Sequence, residues 1–206
     1  MNPRRILILL AGLLTATLAT SCLRLKPQPD PVRFYVLSSA QSPGPVESAP
    51  GARPLFVGRV EAPDYLGNPG IARRWTESHI GFSSIHQWAE PVRDGATRVL
   101  RDALSRALGP GRLHAATIRR PADPHLDLQV TLIQFESRAD QEVVLRARWH
   151  VFREPERQRL AAEETVCRRE YTAAAGDYTP MVLALSGCLE DLATIIATRL
   201  HDAEDR

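Results

Sequence analysis

Residues 125–151 read HLDLQVTLIQFESRADQEVVLRARWHV, and apolar residues alternate through this stretch twice. Leu126, Leu128, Val130 and Leu132 occupy every second position, and Val143, Leu145, Ala147, Trp149 and Val151 do the same beyond Arg138-Ala139-Asp140-Gln141. Successive side chains of a strand point to opposite faces, so each run predicts a strand with one apolar face. Two such runs around a short polar segment predict an antiparallel hairpin. Residues 160–171 supply a third strand beside them.

Helices flank this hairpin. Met181, Leu185, Cys188, Leu189, Leu192, Ile195, Ile196 and Leu200 form one apolar stripe on a helix opened by Asp177 or Thr179 and Pro180. Upstream, Pro91 begins a helix whose Val92, Ala96, Val99, Leu100, Ala103, Leu104, Ala107 and Leu108 recur at three- and four-residue spacing until Gly109-Pro110-Gly111. Arg93, Arg101, Arg106, Asp94 and Asp102 read as its solvated face. Before it come FYVL at 34–37, a breaking stretch at 41–54, a short strand through Leu55, Val57 and Val60, and two strands at 71–76 and 79–88. Residues 113–118 add a further strand, followed by a break at 121–124. The order predicts an α+β fold, a mixed or antiparallel sheet with two main helices packed on one face.

The chain has 206 residues, 26 basic and 24 acidic, room for one domain with tails and no strong field for nucleic acid. Its start decides the compartment. Arg4 and Arg5 precede an apolar run at 6–18, and Ala19, Thr20 and Ser21 lead into Cys22. This is the pattern of an export signal, and the run is too short for the roughly 30 Å hydrocarbon core of a bilayer. Small residues before a cysteine are similar to a bacterial lipobox, although Ala19 stands where leucine is favoured. An ordinary secretory cleavage leaving a free thiol is the alternative. The lipobox reading makes 1–21 a signal peptide, Cys22 the lipidated residue carrying diacylglycerol and an N-acyl chain, and 22–33 a proline-rich tether before a domain at 34–206. Losing Arg4 and Arg5 takes the net charge of +2 to zero, so lipid rather than charge would hold the protein on a membrane. Leu23, in place of the aspartate of inner-membrane retention, favours the periplasmic face of the outer membrane.

With Cys22 assigned to lipid, Cys167 and Cys188 remain as a pair in an oxidising compartment. Three readings stand: a structural disulfide, two buried thiols, or a zinc site. The last has the least support, since neither cysteine lies in a Cys-x-x-Cys or Cys/His cluster. No Gly-x-Ser-x-Gly, His-Glu-x-x-His, phosphate-loop or dinucleotide-loop motif occurs, so no catalytic, metal or cofactor residue is assigned. The six histidines are scattered. Tyr65, Trp75, Phe82 and Trp88 gather between the first strands and the first helix, either as a recognition surface or, for Phe82 and Trp88, as core beneath the helix. Tyr65 and Leu66 read as a loop tip.

Beyond these features, VEAPDYLGNPGIARR at 60–74, HQWAEPVRDGATRVLRDALSRAL at 86–108 and LDLQVTLIQFE at 126–136 carry a resemblance. Together with Cys22, FYVL and the terminal helix, the chain from Phe34 to Leu200 resembles the paraquat-inducible (PqiC-type) ABC-type transport auxiliary lipoproteins. The Asp64-Tyr65-Leu66 and Trp88-Ala89-Glu90-Pro91 elements are the sharper marks, whereas Cys167 and Cys188 depart from the family pattern. The resemblance implies a non-enzymatic docking or conduit subunit of an intermembrane lipid transport system. Its partners would be an MCE-domain periplasmic protein and an inner-membrane ABC transporter, with lipid as cargo and a homo-oligomeric ring as assembly. Asp64, Tyr65, Leu66, Trp88 and Glu90 are the expected partner-docking residues. An envelope scaffold, or least of all an envelope hydrolase, is the alternative.

Overall fold

In the computed structural model, residues 31–39, 53–113 and 124–204 are described. The signal peptide, Cys22, the tether to residue 30, most of the 41–54 loop and nearly all of the 113–118 strand and 121–124 break lie outside them. The elements run β1 (Arg33–Tyr35), β2 (Leu55–Val57), a 3-10 turn (Asp64–Gly67), β3 (Gly70–Arg74), β4 (Ile80–Trp88), α1 (Val92–Leu108), a short 3-10 turn (Pro110–Arg112), β5 (His125–Arg138), β6 (Glu142–Glu154), β7 (Gln158–Glu170) and α2 (Thr179–Glu204). They form an α+β fold with a seven-stranded mixed sheet in the order β1-β4-β3-β5-β6-β7, with β2 pairing separately onto β5.

The hairpin forms in the expected register. Leu128 opposes Val151, Val130 opposes Trp149 and Leu132 opposes Ala147, all buried. The register then shifts between Leu132 and Gln134. A bulge inserts one residue and reverses the alternation, so Phe135 meets Leu145 and Glu136 meets Val144. β7 extends the meander antiparallel to β6, and Trp149 donates its indole N–H to Thr165 Oγ1 at 3.0 Å across that pair.

The apolar faces of both helices join the sheet in one core. α1 contributes Val92, Ala96, Val99, Leu100, Ala103 and Leu104, and α2 contributes Leu185, Leu189, Leu192, Ile196 and Leu200. α2 is long and apolar enough to cross a membrane by composition, but its stripe is spent on this core. Pro91 precedes the first turn of α1, and Gly109, at φ 93°, ends it in a conformation that other residues rarely adopt. Two details differ from expectation. Ala107 is exposed. The charged face of α1 is also not simply solvated, because Arg101 donates to the Val57 carbonyl at 3.1 Å and Arg106 pairs with Glu190 of α2 at 3.1 Å.

Cys167 on β7 and Cys188 on α2 are joined as a disulfide with a Cα–Cα distance of 5.6 Å. The sulfurs are therefore bonded to each other rather than free or available to zinc. Asp191 lies beside them and pairs with Arg169 at 2.8 Å.

Candidate functional site

The edge of β5 opposite β6 is covered piecewise. Leu55–Val57 runs parallel to Leu126–Leu128, Glu61 bridges to Thr131, and Arg73 and Arg74 pair with Ser137 and Arg138. More chain separates Glu61 from Arg73 than the matching span of β5 can pair, so residues 62–69 are expelled as a loop. Pro63 enters it at φ −56°, its carbonyl accepts from Leu66 N at 3.0 Å, and Asn68 N donates to the Tyr65 carbonyl at 3.3 Å. The Asn68 side-chain oxygen then accepts from Gly70 N at 2.8 Å and turns the chain into β3. Gly70 has no alternative, because a Cβ there would sit 2.3 Å from the Ser83 carbonyl oxygen of β4.

That close approach brings two sequence motifs together. Trp88 N donates to the Pro69 carbonyl at 2.8 Å, tying the Trp88-Ala89-Glu90-Pro91 turn to the Asp64–Gly67 turn. Between them lies a shallow cleft of about 190 Å³, apolar for the most part and lined by Leu66, Pro69, Trp88, Ala89, Pro91 and Val92 among others. Leu66 and Trp88 are buried, at 4% and 8% exposure, and form its floor. Leu66 is thus no loop tip. Asn68 and Ala89 are exposed at its rim, and Asp64 is exposed at the start of the turn, outside the lining. Glu90 is half-buried and ion-paired with Arg98, whose guanidinium also donates to the Leu37 carbonyl at 2.8 Å. Of the other aromatics, Phe82 and Trp75 are solvent-facing, at 38% and 48% exposure, so Phe82 is not core beneath the helix.

Tyr65 is anchored from beneath. Its hydroxyl donates to Glu136 Oε2 at 2.6 Å, and Arg74 Nε donates to Glu136 Oε1 at 2.5 Å. Glu136 is 1% exposed and faces this network because of the bulge after Leu132. Burial first, then the hydrogen bond to Glu136, pushes the Tyr65 phenol far above its ordinary value. The hydrogen bond to Glu136 also raises Arg74. Tyr65 therefore stays a neutral donor and Arg74 a cation. The triad acts as a strut that holds the turn, and a phenol so hard to ionise is unsuited to nucleophilic or base chemistry.

Sequence reasoning did not single out Glu136, Arg74 or Pro69. The available signal for Glu136 was an acidic residue inside an apolar strand, beside a break in the alternation.

Fold and site define a class: an α+β domain whose sheet carries two helices and an apolar cleft at the junction of two short turns. Residues 35–197 match the family model for the ABC-type transport auxiliary lipoprotein component, and the chain belongs to that family. Membership associates it with the cell envelope and with transport. Intermembrane transport lipoprotein PqiC of Escherichia coli (strain K12) is 29% identical over 117 residues, 56% of this chain and 60% of that protein, and PqiC of Shigella flexneri matches equally. The chain thus spans less than two thirds of the curated relatives it matches. Among solved structures, an uncharacterized protein superposes with a TM-score of 0.65 at 21% identity, over 80% of this chain and 95% of that one. Protein XCC0632 from Xanthomonas campestris gives 0.61 at 16% identity, over 81% and 93%. These two likenesses show the fold.

Proposed function

We propose that this chain is a non-catalytic docking or conduit subunit of an MCE-type intermembrane lipid transport system, anchored to the periplasmic face of the outer membrane. Cleavage after residue 21 exposes Cys22, which takes the diacylglycerol and N-acyl lipid. Residues 22–33 are the tether, and the domain at 34–206 meets an MCE-domain periplasmic protein and, through it, an inner-membrane ABC transporter. The transporter supplies the energy. Copies of the chain assemble as a homo-oligomeric ring around the lipid path.

The observation that carries this reading is the convergence of two family-marking turns on one apolar cleft. An apolar floor inside a polar rim suits the seating of a partner's apolar side chain. The family match over 35–197 and the name of the curated relatives support transport between membranes as the setting.

Ala89 is exposed on the cleft, so Ala89→Glu places a charge there with little cost to folding. The test is cross-linking of the full-length lipoprotein in envelope membranes, followed by mass spectrometry. An MCE-domain protein captured by the parent and lost from the variant supports the reading. Equal capture moves the interface off the cleft, and no such partner favours a scaffold. Cys22→Ala is expected to shift the protein from the outer-membrane fraction of a density gradient to the soluble fraction.

A further inference from the structure

A second cleft lies where the β5–β6 turn, the segment after β7 and the start of α2 meet. It encloses about 160 Å³, and Arg73, Tyr171, Ala174, Gly176, Asp177 and Tyr178 are among its walls. Most drug-sized ligands need roughly 300–1,000 Å³, so this space fits a small polar molecule or a headgroup and no acyl chain. The small residues at 173–176 leave it open; a Cβ at Gly176 would meet nothing within 4 Å.

The charges of this cleft are unusual for the molecule. Among the described residues most arginines close ion pairs, as Arg59 does with Asp94 and Arg112 with Glu204. Arg73 donates to the Ala139 carbonyl at 3.0 Å and stacks over Trp75 at 4.6 Å, but its Nε is buried without an acceptor. A buried donor without a partner is a costly exception in a folded protein. Asp177 is exposed and accepts from Thr179 N at 2.9 Å. Arg73 and Asp177 share a cleft and do not pair with each other; among the described residues neither joins an ion pair. Hydrogen bonds from Thr179 hold the Asp177 carboxyl below its ordinary range, so it is charged at neutral pH. Tyr171 and Tyr178 complete the lining, with one face of Tyr178 stacked on His86 at 3.9 Å.

We propose that this cleft binds a small zwitterion, its phosphate or carboxylate on Arg73 and its ammonium on Asp177. The chemistry is that of an ethanolamine-phosphate group, whether on a lipid or free in solution. The site is separate from the partner-docking cleft and stands or falls apart from it.

Calorimetric titration of the full-length lipoprotein in an uncharged maltoside detergent tests this. Phosphoethanolamine and a short-chain phosphatidylethanolamine are the ligand arms, with inorganic phosphate and ethanolamine as half-ligands. The expected result is binding of at least one zwitterion, weakened about tenfold by Arg73→Gln and by Asp177→Asn, as loss of a charge-assisted contact predicts. Asn at 177 keeps the oxygen that accepts from Thr179, so an unchanged thermal midpoint is expected of that variant. Tighter binding of the lipid assigns a headgroup site, and tighter binding of the free compound assigns a soluble ligand. Absence of heat from both zwitterions overturns the proposal. So does phosphate binding as tightly as phosphoethanolamine with Asp177→Asn silent. Loss of partner capture leaves this result untouched, and an empty cleft leaves the transport reading standing.

Discussion

Strand β5 meets its neighbours in two different ways. Along one edge β6 pairs with it from His125 to Ser137, interrupted by a single bulge, and β7 continues the pattern. Along the other edge β2, a lone bridge at Glu61 and β3 cover it in pieces, and residues 62–69 turn outward. The first half is held by alternating apolar side chains and the disulfide to α2. The second is held by specific polar ties: Tyr65 and Arg74 on Glu136, Asn68 on Gly70, Arg98 on Leu37. The difference teaches that regular pairing supplies the stability, while interrupted pairing supplies a surface with a shape of its own.

The sharpest way to break this division is to remove the largest side chain of the regular half. Trp149 is fully buried and hydrogen-bonded to Thr165. Trp149→Ala should cost about 3–5 kcal/mol in urea unfolding, the range for a large aromatic cut to alanine in a core. A loss below about 1 kcal/mol would mean that the meander is not the main support. Next comes the staple. Cys167→Ser with Cys188→Ser opens a loop of sequence separation 21, and chain entropy gives about 3 kcal/mol for a closure of that size. Reduction of the parent should lower its thermal midpoint in the same way.

On the irregular side the effects should be smaller and local. Glu136→Gln leaves Arg74 without its counter-charge, and because Arg74 keeps some access to water a loss of about 2 kcal/mol is expected. Tyr65→Phe removes one hydrogen bond to a charged group and should cost about 1–2 kcal/mol. Both should speed amide exchange at 62–74 and weaken partner capture, with β6 amides unchanged. Equal loosening of β6 would show that the two halves unfold as one unit.

The same contrast explains what could be read in advance. The hairpin and both helices were legible because burial of one face imposes a period of two or 3.6 on the sequence, whereas residues 160–171 were placed only as a strand beside the hairpin. For Cys167 and Cys188 the sequence left a disulfide, two buried thiols and a zinc site open, and it is their 5.6 Å Cα separation across β7 and α2 that decides among them. The parallel placement of β2 and β3 along β5 could not be read, because three to five residues carry too little period to name a partner. Nor could the role of Glu136: it depends on a bulge one turn of the pleat away and on Tyr65, 71 residues upstream. Asp64, Tyr65, Leu66, Trp88 and Glu90 were picked out as short family marks. Only the structure separates them into an exposed turn residue, Asp64, a strut, Tyr65, a floor, Leu66 and Trp88, and an ion pair, Glu90.

The smallest expected effect is set by acid. His86 on β4 is 4% exposed, lies 2.9 Å from the Tyr35 hydroxyl through Nδ1, and stacks on Tyr178 at 3.9 Å. Burial first, and the nearby Arg33 second, hold its pKa below the ordinary histidine value, while Asp177 pulls the other way. The folded chain therefore keeps His86 neutral at a pH where the unfolded chain already binds a proton. Its contribution to stability is complete above roughly pH 6.5 and is lost as pH falls from there through the lowered folded value. β1 pairs with β4 through only three residues, Arg33 to Tyr35, so protonation should loosen that junction first. Hydrogen exchange at pH 7 and pH 5.5 should show faster amides at 33–35 and 86–88 at the lower pH, once corrected for intrinsic rates, with the β5–β6 amides unaltered. His86→Gln should abolish that difference. If β6 responds to acid as strongly as β1, the polar ties of the irregular half carry the whole fold and the division between the two edges of β5 does not hold.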